Sequence, residues 1–162
     1  MLEAMYKMQW IMFFSSPIFL SAITSWMMSQ IIKTIFALFN ASIKTPIDFF
    51  ELVFWRTGGM PSSHSALVAS LTVSIGIRQG FDSDLFIFAC FMALIVIRDA
   101  VGVRRSSGLQ AKALNDLGAK FAEKNEGYHF RAVREIQGHK PVEAVAGIIL
   151  GIITSILFAY FG

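Results

Sequence analysis

His64 and His139 are the two side chains whose surroundings point most directly to chemistry. His64 lies in Gly58-Gly59-Met60-Pro61-Ser62-Ser63-His64-Ser65, just ahead of Ala66-Leu67-Val68. His139 lies in Gly138-His139-Lys140-Pro141-Val142-Glu143, just ahead of the apolar run from Ala144 to Phe161. Small residues and a proline set both imidazoles at predicted helix starts, where free backbone N–H groups form a natural pocket for an anion. Glu143 follows His139 by four residues, so on a helix the two share one face, a turn apart. A carboxylate there would hold one ring nitrogen as N–H and leave the other free to attack. His64 would then protonate a leaving alkoxide and afterwards activate water. Lys33, Arg104 and Arg105 are candidate oxyanion clamps, arginine being the better suited to two-pronged contact. Ser62, Ser63, Gly59 and the backbone after Pro61 are further candidate donors. A histidine nucleophile, an acid–base partner and flanking cations are the parts that phosphoryl transfer through a phosphohistidine needs.

The elements that must position these groups are apolar. Of the 162 residues, 55% are hydrophobic and 15% charged, and the mean hydropathy is +0.60, which is too apolar for an ordinary soluble domain. Residues 8–32 and 57–77 contain no Asp, Glu, Lys or Arg, and residues 141–162 contain Glu143 alone. About 20 apolar residues cross a hydrocarbon core of ~30 Å. The runs predict an all-α, polytopic membrane protein with four spans near 8–33, 62–78, 84–103 and 141–161. The third reaches full length only if the helix continues through Arg98 and Asp99 to Val103. Pro17 would kink the first, which reads as a retained helix rather than a cleaved signal peptide. The connection from 34 to 61 carries Phe36, Leu38, Phe39, Phe49, Phe50, Phe54 and Trp55, enough to lie in the interface. Within the polar stretch 104–140, Ser106 to Lys124 has helical composition, with Leu109, Ala113, Leu114 and Leu117 along one stripe, giving an interfacial or cytoplasmic helix before the last span. The length suits one domain over residues 1–162.

Charge sets the orientation. Residues 98–140 hold nine Lys and Arg, against Arg78 in the turn at 78–84 and Lys7 at the N-terminus. The positive-inside rule places the long connection in the cytoplasm, as expected for a bacterial inner-membrane protein, and accounts for the net charge of +3 better than nucleic-acid binding does. With four spans, Lys33, His64, Arg98 to Arg105 and His139 all fall on one side of the bilayer and can meet in one pocket. Cys90, the single cysteine, reads as a packed thiol. The three histidines lack metal-ligand spacing. Gly147 and Gly151 form a small-xxx-small pair suited to close helix packing.

Three segments carry a resemblance to a known family. Gly58 to Ala66, Asp99 to Arg104, and Glu135 to Glu143 resemble the divergent branch of the type 2 phosphatidic acid phosphatases, and the similarity runs from about Gln30 and Lys33 to Gly151. The family's Pro-Ser-Gly-His motif, which supplies the acid histidine, matches Pro61 to His64 with Ser63 in place of glycine. Its nucleophile motif matches His139, Glu143 and Gly147, with glutamate in place of aspartate. The resemblance implies a metal-independent lipid phosphatase without a cofactor, sensitive to vanadate, acting on phosphatidate, phosphatidylglycerophosphate or a polyprenyl phosphate or pyrophosphate. The chain also departs from the family. The first motif would place Arg and Pro six and seven residues beyond its lysine's neighbour, where Asn40 and Ala41 stand, and the arginine six residues before the nucleophile is Val133. Phosphate-binding cations must then come from Arg104 and Lys33, with Arg131 and Arg134 behind them. The same losses leave a second reading open, a non-catalytic membrane protein that binds anionic lipid or scaffolds a partner. A homo-oligomer fits either reading. A small transporter or flippase is disfavoured because no inverted repeat is visible.

Overall fold

A computed structural model describes residues 2–39, 59–125, 128–133, 135 and 138–161. These residues form an α-helical bundle: α1 (Leu2–Phe14), α2 (Pro17–Phe39), α3 (Ser63–Gln79), α4 (Asp84–Arg98), a π-helical turn (Asp99–Val103), α5 (Arg104–Lys124) and α6 (Pro141–Phe161). Helix α3 is central and packs against α6, α2 and α4, while α2 also packs on α6. Pro17–Phe39, Asp84–Lys124 and Pro141–Phe161 are long and apolar enough to cross a membrane. With 17 residues, α3 is about 25 Å long and sits at the lower limit for spanning.

Two expectations are corrected. The charge-free run at 8–32 is not one kinked helix. Ser15 ends α1 by hydrogen bonding back to the Ile11 carbonyl at 2.7 Å, and Pro17 opens α2 as its first residue. A missing N–H is harmless at that position, because the first turn's donors have no helical partner. The span therefore slides to 17–39, and Lys33 lies within it, six residues before Phe39 rather than at its end. The second correction concerns residues 104–124. They form the expected helix, but it continues directly from the third span: Asp84 to Lys124 runs on for 41 residues, interrupted only in hydrogen-bond register by the π turn. Leu109, Leu114 and Leu117 are exposed, and α5 buries Gly118 alone, under the Phe130 ring. The connection at 40–58, with Lys44, Phe49, Phe50, Phe54, Trp55 and Arg56, lies outside the described residues, as does Arg134.

The bundle is small and polar inside and large and apolar outside. Ser21, Ser25, Ser29, Ser62, Ser65, Ser70 and Ser155 are fully buried, whereas Phe88, Phe91, Leu94, Ile95, Ile149 and Ile153 are exposed. In lipid, burying a leucine between helices gains little, so association depends on close van der Waals packing and interhelical hydrogen bonds. Ser21 and Ser74 share a bond of 2.7 Å. Ser25 donates to the Ala66 carbonyl at 3.2 Å, and Ser155 donates to the Ser70 carbonyl at 2.8 Å. Such bonds contribute about 0.6 kcal/mol each. Gly147 faces the Ser62 carbonyl and Gly151 the Ala66 carbonyl, both too closely for a Cβ to fit.

Gly151→Leu is therefore expected to push α6 off α3. Overpacking costs about 1–3 kcal/mol, so the thermal midpoint of purified protein in detergent should fall by roughly 4–10 °C. Ile153→Val, on the outer face of the same helix, should leave that midpoint within about 2 °C.

Candidate functional site

The α2–α3–α6 packing gathers the predicted side chains at one end of the bundle. Ser62 is the N-cap of α3. Its hydroxyl accepts from the Ser65 N–H at 3.4 Å and the Ser65 hydroxyl at 3.1 Å. Its own N–H donates to the Glu143 carbonyl at 2.8 Å. That bond stitches the His64 segment to the first turn of α6, and the Gly147 contact beneath it keeps the two backbones close. Ser62 is fully buried and caps α3.

His139 is held from three directions. Its N–H donates to the Ala100 carbonyl, in the π turn, at 3.1 Å. Gly138 is pressed against the Arg105 backbone with no room for a Cβ. The His139 Nδ1 lies 3.0 Å from Glu143 Oε2, and the Lys140 N–H donates to the same oxygen at 3.1 Å. Pro141 is the first residue of α6 and Glu143 the third, so this carboxylate reaches back to the helix start in the manner of a capping box. Capping the helix and orienting the imidazole are one arrangement. At 3% exposure, the His139 ring is held below the ordinary imidazole pKa of 6.5, chiefly by burial, with the charges of Lys33 and Arg104 acting in the same direction and the Glu143 hydrogen bond opposing them. The ring is therefore neutral at pH 7. With Glu143 fixing the proton on Nδ1, Nε2 carries the free lone pair.

His64, the second residue of α3, is half-buried, and its Nδ1 has no hydrogen-bond partner among the described residues. The charges of Arg104, His139, Lys33 and Asp99 all act on it. Lys33 is 6% exposed. Its Nζ donates to Ser63 Oγ at 3.2 Å, and its stem passes within 4.0 Å of the position a Gly59 Cβ would take. Among the described residues no carboxylate comes within salt-bridge distance of it. Arg104 is partly exposed, and its Nε donates to Asp99 Oδ2 at 2.7 Å. Arg105 is exposed, and its backbone meets the His139 loop at Gly138. Gly59 is exposed with φ of 85°, a left-handed turn that glycine adopts readily. Arg131 is exposed.

The structure adds two residues that sequence reasoning had not singled out. Asn115 donates to the Val133 carbonyl at 2.9 Å and to Glu135 Oε1 at 2.9 Å, and it accepts the Val133 N–H at 2.8 Å, strapping the chain that leads to His139 onto α5. No local signal marks an asparagine in a polar helix for this task. Gln30, one turn before Lys33 on α2, is 7% exposed, and its Oε1 has no hydrogen-bond partner among the described residues. An amide inside a charge-free apolar run was the available signal.

Residues 14–154 match the family described as the divergent PAP2 family. The uncharacterized membrane protein YuiD of Bacillus subtilis (strain 168) is 37% identical over 140 residues, spanning 76% of this chain and 89% of that protein. No solved structure matches the chain. Lys33, His64 and His139 all lie inside the matched region, and the chain, an integral membrane protein with helices built for a bilayer, belongs to the divergent PAP2 family.

Proposed function

We propose that the protein is a metal-independent lipid phosphatase that hydrolyses a phosphomonoester or pyrophosphate headgroup through a phosphohistidine. The observation that carries this reading is the contact of the buried His139 ring with Glu143, 3.0 Å from Nδ1 to Oε2, which occupies Nδ1 and leaves Nε2 to attack. Lys33 and Arg104 hold the equatorial oxygens and neutralise the charge that spreads over them in the transition state. His139 Nε2 bonds to phosphorus as the ester P–O bond breaks, and His64 gives its proton to the departing alkoxide. Water then attacks the phosphohistidine while His64 takes back a proton, the P–N bond breaks, and inorganic phosphate leaves with His139 restored.

The abundance of Lys and Arg in residues 98–140 supports a cytoplasmic site in a bacterial inner membrane. Lipid phosphates present on that face, phosphatidate, phosphatidylglycerophosphate or a polyprenyl phosphate, are the corresponding substrates. A second reading, binding of anionic lipid without turnover, is favoured by one observation: where the wider family places an arginine before the nucleophile, this chain has Val133, and its backbone is tied to Asn115.

Purified protein is expected to release phosphate from at least one member of a panel of lipid phosphates. His139→Ala should lower that rate by about a thousandfold or more while the protein stays folded. Undiminished turnover in His139→Ala would remove the phosphatase reading, and saturable lipid binding with no turnover in the wild type would establish the second. Vanadate, which mimics the phosphoryl group in transit, should raise the wild type's thermal midpoint.

The pH profile tests the Glu143 contact separately. Attack requires neutral His139, whose pKa lies below 6.5, so the acid limb of kcat/KM is expected below pH 6.5. The Glu143 carboxylate favours the protonated ring. Glu143→Gln should therefore lower the rate by roughly a hundredfold and yet move the acid limb to lower pH. An acid limb that moved upward would show that this carboxylate does not contact the titrating group.

A further inference from the structure

Asp99 has no part in the reaction just described, and its pairing with Arg104 adds little to stability. The two side chains are 39% and 36% exposed, and an ion pair open to water does little to hold a fold. Yet the two meet only because the backbone departs from a regular helix between them. In an α-helix, residues five apart point about 140° away from each other. In a π turn the hydrogen bonds run between residues five apart, which brings those residues onto one face. Asp99–Val103 is such a turn. The Arg104 N–H, which in an α-helix would reach the Ala100 carbonyl, donates to the Asp99 carbonyl instead. Asp99 Oδ2 then receives Arg104 Nε at 2.7 Å, and the Ala100 carbonyl receives the His139 N–H at 3.1 Å. A single turn fixes the arginine and the histidine together.

The pairing leaves the forked end of Arg104 open. Asp99 engages Nε, while the two Nη atoms have no hydrogen-bond partner among the described residues. The Arg104 charge acts on both imidazoles, so the guanidinium lies beside the pocket they share. Resting on the phosphatase reading, we infer that Asp99 is a positioning residue: through the π turn it holds Arg104 by Nε, so that the Nη pair is already ordered to meet two phosphate oxygens. Asp99 itself touches no substrate. A free arginine loses rotamer freedom when it grips a ligand, and a tethered one has lost it beforehand.

Charge and tether predict opposite signs. As a charge, Asp99 repels an anion, and its removal should tighten phosphate binding. As a tether, its removal should loosen it. Both groups are exposed enough for water and salt to weaken the repulsion, whereas ordering one long side chain costs affinity about two- to tenfold. The tether is expected to win.

Phosphate affinity of the purified full-length protein is to be read from the rise of its thermal midpoint with inorganic phosphate at constant ionic strength. Asp99→Ala should bind phosphate about fivefold more weakly than the wild type, although it carries one negative charge fewer. Asp99→Asn, which keeps an oxygen for Nε, should stay within about twofold of the wild type. Asp99→Ser, too short to reach Nε, repeats the test if the alanine variant is unstable. In an Arg104→Ala background, Asp99→Ala should change affinity by less than about twofold, because no arginine is left to hold. Tighter binding in Asp99→Ala, an Asn variant as weak as the Ala variant, or an equal loss in the Arg104→Ala background would each overturn the inference and leave the phosphatase reading intact. A wild type that binds no phosphate would overturn it too, with phosphate release from lipid phosphates then deciding the phosphatase reading by itself. The expected pattern of affinities in a protein that releases no phosphate would sustain the tether and remove the phosphatase reading.

Discussion

Close approach of α2 and α6 to α3 is the constraint on which the rest depends. Lipid offers no hydrophobic gain for bringing helices together, so they meet where side chains are small enough for backbones to touch and where hydroxyls can bond across the gap. Ser21 on Ser74, Ser25 on the Ala66 carbonyl and Ser155 on Ser70 run the length of the interface, and Gly147 and Gly151 admit the α3 carbonyls. With three axes locked this tightly, there is little freedom in where the ends lie. Lys33 on α2, Ser63 and His64 on α3, and Glu143 on α6 come together because their helices are pinned a few turns away.

At the polar end, backbone groups serve as attachment points. The π turn at Asp99–Val103 brings the Ala100 carbonyl to the His139 N–H, and a departure from regular helix at this point agrees with the frequent use of π turns at functional sites. The Ser62 N–H finds the Glu143 carbonyl, and the Glu143 carboxylate finds both the Lys140 N–H and the imidazole. Few side chains are needed to orient His139, because helix capping and ring orientation share one carboxylate. The glutamate at this position reaches both the helix start and the ring.

Much of this was legible in the chain itself. Charge-free runs reveal spans because an ionised side chain in hydrocarbon is costly. The spacing of His139 and Glu143 reveals their contact because one helical turn fixes it, and the extension of the third span through Arg98 to Val103 was required by length alone. The misreadings have physical causes. Hydropathy does not distinguish a kinked helix from two helices in series, so the Ser15–Pro17 break between α1 and α2 was invisible to it, and Lys33 was placed at a helix end when it lies inside one. Continuity from α4 into α5 was hidden because composition turns polar at Arg104 while the backbone continues unchanged.

The lost arginines find an explanation in the same geometry. An exposed guanidinium is weakened by water and salt, while a buried ammonium is felt at nearly full strength. Arg104 is partly exposed and partly spent on Asp99. Lys33, buried and bonded to Ser63, acts on both imidazoles across a medium poor in water. A pocket with few cations can hold a phosphate if one of them is sealed from solvent and meets an anion before it meets anything else. A point charge supplies that attraction but discriminates poorly among anions, since it has no shape to match.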